Sequence, residues 1–201
     1  MSSWGAALVR LLAVAAALTV IAVAFEVPLA RAALGPMRAW LGVIDSSYVS
    51  TAFDVRSGGG EILFHREVTP RHPHLVGDHG TLVEPGSQIS TNASAGLLLQ
   101  TFIIGLALCA AWPATRGARE WLARAAVAPA LLVLVAAVDL PLLLYAFAWS
   151  SELEAAGASS DSPLLLWGEF LQMGGRTGLA ALAAGAAILL ARRLAGKAMT
   201  L

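Results

Sequence analysis

The sequence predicts a membrane protein of the all-α class, a four-helix transmembrane bundle with a small β-rich extracytoplasmic insert between helices 1 and 2. Hydrophobic residues make up 58% of the chain and charged residues only 13%, a balance too apolar for an ordinary soluble domain. Four apolar runs approach or exceed the ~20 helical residues that cross a hydrocarbon core of ~30 Å. A polar segment with strand-like alternation, residues 35–94, separates the first run from the second.

The first predicted span occupies residues 1–34, and its core is the apolar run from Leu11 to Phe25. The same run would serve as the core of a cleaved signal peptide, with small residues at Ala22-Val23-Ala24 as the cleavage site. We favour an uncleaved helix, because Glu26 and Pro28 follow the run without a polar, extended mature start. Cleavage of residues 1–24 stays open at this point.

The polar segment that follows predicts a small extramembrane module of three or four strands. Met37 to Ile44 is amphipathic and suits a short interfacial helix. Apolar and polar residues alternate from Tyr48 to Arg56 and again from Glu61 to Val68, with Ile62, Phe64 and Val68 on one face. Gly58-Gly59-Gly60 between the two stretches predicts a hairpin turn. Short additional strands are expected around the Pro85-Gly86 turn, at Thr81–Val83 and Gln88–Ser90.

The other three spans are predicted at residues 95–113, 127–149 and 167–191. A basic loop (114–126) and an acidic loop (150–166) connect them, and a basic tail (192–201) follows the last. Lys and Arg near the ends of short loops favour the cytoplasm. Four spans with both termini cytoplasmic place every basic segment on that side and the β-rich module on the other.

Each predicted span carries one polar or charged side chain at nearly the same depth. A carboxylate near the bilayer centre costs roughly 2.5–3.5 kcal/mol, so Asp139 is expected to face protein, to pair with a cation or to be protonated. At a helical rise of ~1.5 Å per residue, Glu26, Gln100, Asp139 and Arg176 reach a common level in the outer half of the membrane. We expect an Asp139–Arg176 ion pair joined by the other two residues.

This polar cluster has two interpretations. It could form a pocket that opens outward and binds a ligand, a lipid headgroup or a partner helix. It could instead fix the helices to one another, each hydrogen bond contributing about 0.6–2 kcal/mol. The second interpretation is the more economical one.

All four histidines of the chain lie in the extramembrane module. His72, His74 and His79, together with Asp78, are candidate ligands for zinc or copper, which imidazole and carboxylate groups bind. They lie in a proline-interrupted loop that does not fix their geometry, so solvated surface histidines are the default expectation. We expect no resident cofactor.

Catalysis and nucleic-acid binding are both disfavoured. The net charge is zero, which argues against a nucleic-acid surface. The single cysteine, Cys109, is predicted near the cytoplasmic end of its span, whereas every histidine lies on the other side, so a Cys–His nucleophile is not expected. The sequence contains no nucleophile-elbow, Walker or H-E-x-x-H motif. The chain is therefore predicted not to be an enzyme.

The order of parts, with the β-patterned segment Tyr48 to Val68, Thr91-Asn92-Ala93-Ser94 before the second span, and Trp167-Gly168-Glu169-Phe170 through Gly174-Gly175-Arg176 in the last, resembles a known group. It is similar to the small membrane proteins found as companions of exosortases, especially the exosortase H-associated type. The resemblance implies a non-enzymatic accessory or scaffold in the bacterial inner membrane, with residues 35–94 periplasmic and an exosortase-like integral membrane protein as partner.

Two other functions remain open from the sequence. One is a membrane carrier or ligand-binding protein that uses the polar cluster of Glu26, Gln100, Asp139 and Arg176. The other is a periplasmic metal-binding module that uses the histidine-rich loop.

Overall fold

The computed structural model describes residues 3–76, 80–157 and 162–197. These residues form a mostly helical protein with a small antiparallel sheet. The helices are α1 (Ser3–Ala24), α2 (Glu26–Ile44), α3 (Ala95–Ala111), α4 (Gly117–Ala155), α5 (Pro163–Phe170) and α6 (Arg176–Lys197), with a π-helical turn (Leu171–Gly175) between the last two. The strands are β1 (Tyr48–Gly58), β2 (Glu61–Pro70), β3 (His74–Val76), β4 (Thr81–Val83) and β5 (Ile89–Ser94).

Three helical segments of the described chain are long and apolar enough to cross a membrane: Gly5–Ala24, Gly117–Ala155 and Pro163–Gly196. Helix α3 is apolar but has only 17 residues. At ~1.5 Å per residue it covers about 25 Å, less than the ~30 Å of a typical hydrocarbon core. A membrane protein is therefore supported on three helices, and the fourth span remains a prediction.

The helix boundaries depart from the expected ones at charged residues. The first helix ends at Ala24, and a second begins at Glu26, whose carboxylate suits the positive end of a helix dipole. Helix α4 begins at Gly117 rather than Val127 and continues to Ala155, so it takes in parts of both segments predicted as loops. Within those parts of α4, Glu120, Arg124 and Glu152 are buried and paired instead of being solvated.

The last predicted span is two helices rather than one. Ser162 caps α5, its hydroxyl accepting a hydrogen bond from the Leu165 backbone N–H at 3.2 Å, and Pro163 occupies the first turn. Gly174, in the π-helical turn, adopts φ +103°, a conformation open mainly to glycine, and the chain kinks there before α6 begins.

The predicted hairpin is confirmed. Strands β1 and β2 pair antiparallel from Tyr48↔Pro70 to Gly58↔Glu61, with a bulge between Ser50 and Ala52. Gly59 and Gly60 connect the strands at φ +62° and +84°, as a tight two-residue turn requires. Strand β5 pairs with the other edge of β2, giving the order β1-β2-β5, and β3 and β4 form a separate short hairpin.

The chain divides into two compact units. The first comprises Met1–Phe25, Leu98–Ala136 and Gly174–Leu201, and the second comprises Glu26–Leu97 and Ala137–Met173. In the first unit, α3, the beginning of α4 and α6 pack through small residues, including buried Cys109, Ala128, Ala184 and Ala187. In the second, the sheet packs on the end of α4 through Tyr48, Val68, Ile89 and Ala148.

Candidate functional site

The buried carboxylate of Glu152 lies at the centre of a polar cluster in the second unit. Glu152 is 3% exposed, near the C-terminus of α4. Its Oε2 accepts a hydrogen bond from the Tyr48 hydroxyl at 2.7 Å and lies 3.1 Å from His74 Nε2. Burial, followed by the hydrogen bond to Glu152, raises the pKa of Tyr48 well above its usual range. The phenol therefore stays protonated and acts as the donor.

Two aromatic contacts extend this Glu152 cluster along one face of α4. The Tyr145 ring meets Tyr48 edge to face, with centroids 5.8 Å apart, and Trp149 stacks on His74 at 6.2 Å. Positions 145, 149 and 152 recur with helical periodicity, so they point in the same direction. The end of α4 thereby holds β1 and β3 by both apolar and polar contacts.

The two ring nitrogens of His74 both face acceptors. Nδ1 lies 3.1 Å from the His72 carbonyl oxygen, and Nε2 lies beside the Glu152 carboxylate. Only the protonated imidazole can donate to both. Partial burial disfavours that charged form, but the backbone hydrogen bond and the Glu152 carboxylate outweigh it, so the pKa of His74 lies above its usual value.

A cleft of about 380 Å³ lies beside this cluster, between α2 and strands β1 and β2. At its base, Arg66 and Asp45 form an ion pair whose side chains are each 1% exposed. Asp45 also accepts from the Tyr48 backbone N–H at 3.0 Å, and Arg66 Nε donates to Ser50 Oγ at 3.0 Å. These bonds hold both charged groups in fixed orientations.

Two further arginines line the same cleft, which we call the arginine cleft. Arg38 donates through Nη2 to the Phe53 carbonyl oxygen at 2.8 Å, and Arg71 donates through Nε to the Tyr48 carbonyl oxygen at 3.1 Å. Together with Arg66 they outnumber the one carboxylate among the lining residues, that of Asp45. The arginine cleft is therefore positively charged.

Only two of the four predicted metal ligands lie within the described residues. His72 is exposed, and His74 belongs to the Glu152 cluster; Asp78 and His79 lie outside the described residues. Within 3–76, 80–157 and 162–197, no group of three or more His, Cys, Asp or Glu side chains is placed to hold a metal ion. The complete predicted set remains a prediction.

The predicted intramembrane cluster divides between the two units. Asp139 and Glu26 belong to the second unit, and Arg176 and Gln100 to the first. Asp139 and Arg176 are 1% and 4% exposed, whereas Glu26 is half-buried and Gln100 is exposed. The burial of Asp139 is what a carboxylate within a span requires. The association of the four residues stays a prediction.

In the first unit, the basic segment predicted as a loop contains a buried ion pair. Glu120 is 0% exposed and pairs with Arg124 one helical turn later. Its carboxylate also accepts from the backbone N–H groups of Thr115 and Arg116 at 2.8 and 2.9 Å, and from Arg192 Nε at 3.1 Å. These contacts tie the beginning of α4 to the end of α6, which is a structural role.

The arginine cleft and the Glu152 cluster were both missed from the sequence, although one signal was present. Arg66 falls on the same alternating face of β2 as Ile62, Phe64 and Val68, the apolar face that the sequence pattern predicts. An arginine on an apolar strand face requires a buried acidic partner or a bound anion. No comparable pattern marks Glu152, whose partners are distant in sequence.

Comparison with known proteins adds no identity to this geometry: no family model matches the chain, and neither the curated proteins nor the solved structures include a match.

Proposed function

We propose that the chain is a non-enzymatic, polytopic accessory protein of the bacterial inner membrane that assists a protein-sorting enzyme of the exosortase type. In this proposal four helices span the membrane, both termini are cytoplasmic, and residues 35–94 are periplasmic. The resemblance in the order and motifs of the segments supports the partner class. The three long apolar helices support the membrane location.

The observation that carries the proposal is the attachment of the strands to the end of α4. Tyr48 in β1 and His74 in β3 share one buried carboxylate, that of Glu152. Tyr48 also meets Tyr145 of α4 edge to face, and His74 stacks on Trp149 of α4. Through these contacts, the strands of the second unit (the strand module, β1 to β5) keep one orientation relative to the end of α4. A fixed extramembrane surface beside a membrane helix is what an accessory needs to hold a second membrane protein.

Affinity purification of the intact chain from native membranes in mild detergent, followed by mass spectrometry, tests this function. We expect a membrane enzyme to co-elute in a stoichiometric amount. The variant Glu152→Gln weakens the attachment of the strands and should reduce the amount of partner recovered. Glu154→Gln is the matched control, because Glu154 lies on the same helix but is exposed.

A chain that elutes alone, in both wild-type and control form, would contradict the accessory function. Recovery of the same partner in undiminished amount with Glu152→Gln would leave the accessory role standing but remove the strand module from it. If the chain elutes alone, the buried Asp139 and Arg176 are the next positions to test for a carrier or ligand-binding function.

A further inference from the structure

The base of the arginine cleft contains an incompletely satisfied guanidinium group. Arg66 is 1% exposed, and its Nε and Nη2 donate to Ser50 and Asp45. Its Nη1 is also buried and has no hydrogen-bond partner among the residues that the structure describes. A buried donor without an acceptor is unfavourable, and more so when the group is charged, so this position favours an added anion nearby.

The two arginines at the rim are held in place and still have donors to offer. Arg38 and Arg71 each use one nitrogen to bond a backbone carbonyl of β1. A guanidinium group carries five N–H donors, so most of each fork stays available. Both side chains belong to exposed residues that line the cleft. Because one nitrogen of each guanidinium group is already anchored, the two side chains lose less conformational entropy when a ligand binds.

The charge and shape of the cleft favour a phosphate group. Planar guanidinium groups bind phosphate oxygens in bidentate fashion. The lining of the cleft contains three guanidinium groups and one carboxylate. A volume of about 380 Å³ exceeds what a bare inorganic ion needs and lies within the range of small-molecule sites. The occupant is therefore expected to carry more than the phosphate itself.

The helix that forms one wall of the cleft points to a lipid as the source of that phosphate. Leu41 and Gly42 of α2 line the cleft, and the neighbouring residues Trp40 and Val43 are 39% and 73% exposed. Exposed tryptophan and valine beside a cationic site suit the membrane interface, where tryptophan is enriched at headgroup level. Basic pockets at this level bind anionic headgroups.

We propose that the arginine cleft binds the phosphate-containing headgroup of an anionic phospholipid, with Arg38 and Arg71 as the direct contacts and Arg66 as the buried cation beneath them. This inference goes beyond the accessory function and does not depend on it, because the site lies entirely within one unit of this chain.

Native mass spectrometry of the delipidated full-length chain in detergent tests the proposal. Phosphatidylglycerol is titrated against phosphatidylcholine, with wild-type protein and with the double variant Arg38→Gln/Arg71→Gln. We expect preferential binding of phosphatidylglycerol by the wild type, weakened about tenfold or more in the double variant. Arg31→Gln/Arg56→Gln is the matched control: it removes two exposed arginines of the same unit that do not line the cleft, and it should retain wild-type affinity.

Each other outcome overturns part or all of the proposal. Equal binding of the two lipids by the wild type would exclude an anionic-headgroup site without relying on any variant. Equal loss in both double variants would show a general charge effect rather than the arginine cleft. Displacement of phosphatidylglycerol by inorganic phosphate at equal concentration would keep the phosphate chemistry but assign the site to free phosphate.

Discussion

At the scale of single residues, a buried charged group is costly to leave without its hydrogen-bond donors, so those donors are expected to be sensitive to substitution. Tyr48 supplies the Glu152 carboxylate with its shortest described hydrogen bond, at 2.7 Å. Tyr48→Phe keeps the ring but removes that donor, so the free energy of unfolding should fall by about 1–3 kcal/mol. Tyr145→Phe is the matched control, since the Tyr145 hydroxyl lies 3.3 Å from Ser47 Oγ in an exposed position and is not bonded to Glu152 in the structure described. Chemical denaturation in detergent measures both.

A result that contradicts this account is equal stability of Tyr48→Phe and wild type. In that case the aromatic packing of the ring, and not its hydroxyl, would hold β1 on α4.

The His74–Glu152 contact makes stability depend on pH. Because the folded-state pKa of His74 is raised, the folded protein binds this proton more tightly than the unfolded chain does. The contribution is fully present below the ordinary histidine pKa of ~6.5 and is lost as the pH rises through the higher folded-state pKa. The melting temperature of the wild type should therefore exceed that of His74→Gln at low pH, and the difference should shrink as the pH rises.

His72→Gln is the control for the pH effect, because His72 is exposed and uses its backbone carbonyl in the contact with His74. Its melting temperature should follow the wild type at every pH. A difference for His74→Gln that grows with rising pH would overturn the assignment of the charged imidazole to this contact.

At the scale of the elements, close packing in the first unit depends on one glycine. A Cβ atom on Gly105 of α3 would overlap the side chain of Leu132 of α4, lying 2.9 Å from its Cδ1, and Leu132 is fully buried. Gly105→Ala should therefore destabilise the protein by about 1–3 kcal/mol, as overpacking does. Gly178→Ala in α6 is the matched control: its Cβ meets nothing within 4 Å, so the substitution should be neutral or slightly stabilising.

Thermal unfolding of the two alanine variants gives the comparison. If Gly105→Ala unfolds at the same temperature as Gly178→Ala, then α3 and α4 can move apart to accommodate the added methyl group without loss of stability. The close packing of the two helices would then not be a determinant of stability.

The elements that could be predicted are those with a strong local pattern. The β1–β2 hairpin follows from period-two alternation and two glycines at the turn, and the long apolar runs follow from composition. The ends of the helices could not be predicted, because charged residues near Glu120 and Glu152 are typical of solvated loops. In the structure, those carboxylates are buried and paired with residues distant in sequence. Local patterns do not contain such long-range pairing.

The break at Gly174 has a different cause. A glycine in an apolar run is compatible with a continuous helix, and only its positive φ distinguishes a break from helix packing. The candidate site depends even more on tertiary contacts. Only the position of Arg66 on an apolar strand face indicated it, and the residues that complete the arginine cleft come from α2 and from the segment after β2.

At the scale of the whole molecule, three helical segments are long and apolar enough to cross a membrane, and in the second unit the strands pack on the end of α4. If the module faces the periplasm and holds a partner, its outer residues should contact that partner in the membrane. Leu82 in β4 is 55% exposed, and Leu122 near the start of α4, which the proposed topology places at the cytoplasmic side, is 72% exposed. Both positions accept a substitute side chain without loss of buried packing.

The most direct test of a partner-holding module is site-specific photocrosslinking in native membranes. One variant of the chain carries a photoreactive residue in place of Leu82, and a second variant carries it in place of Leu122. We expect the photoreactive residue at position 82 to capture a membrane enzyme and the one at position 122 not to. Crosslinks from Leu82 only to a second copy of this chain, or capture of the same enzyme from both positions, would contradict a periplasmic module that holds the partner.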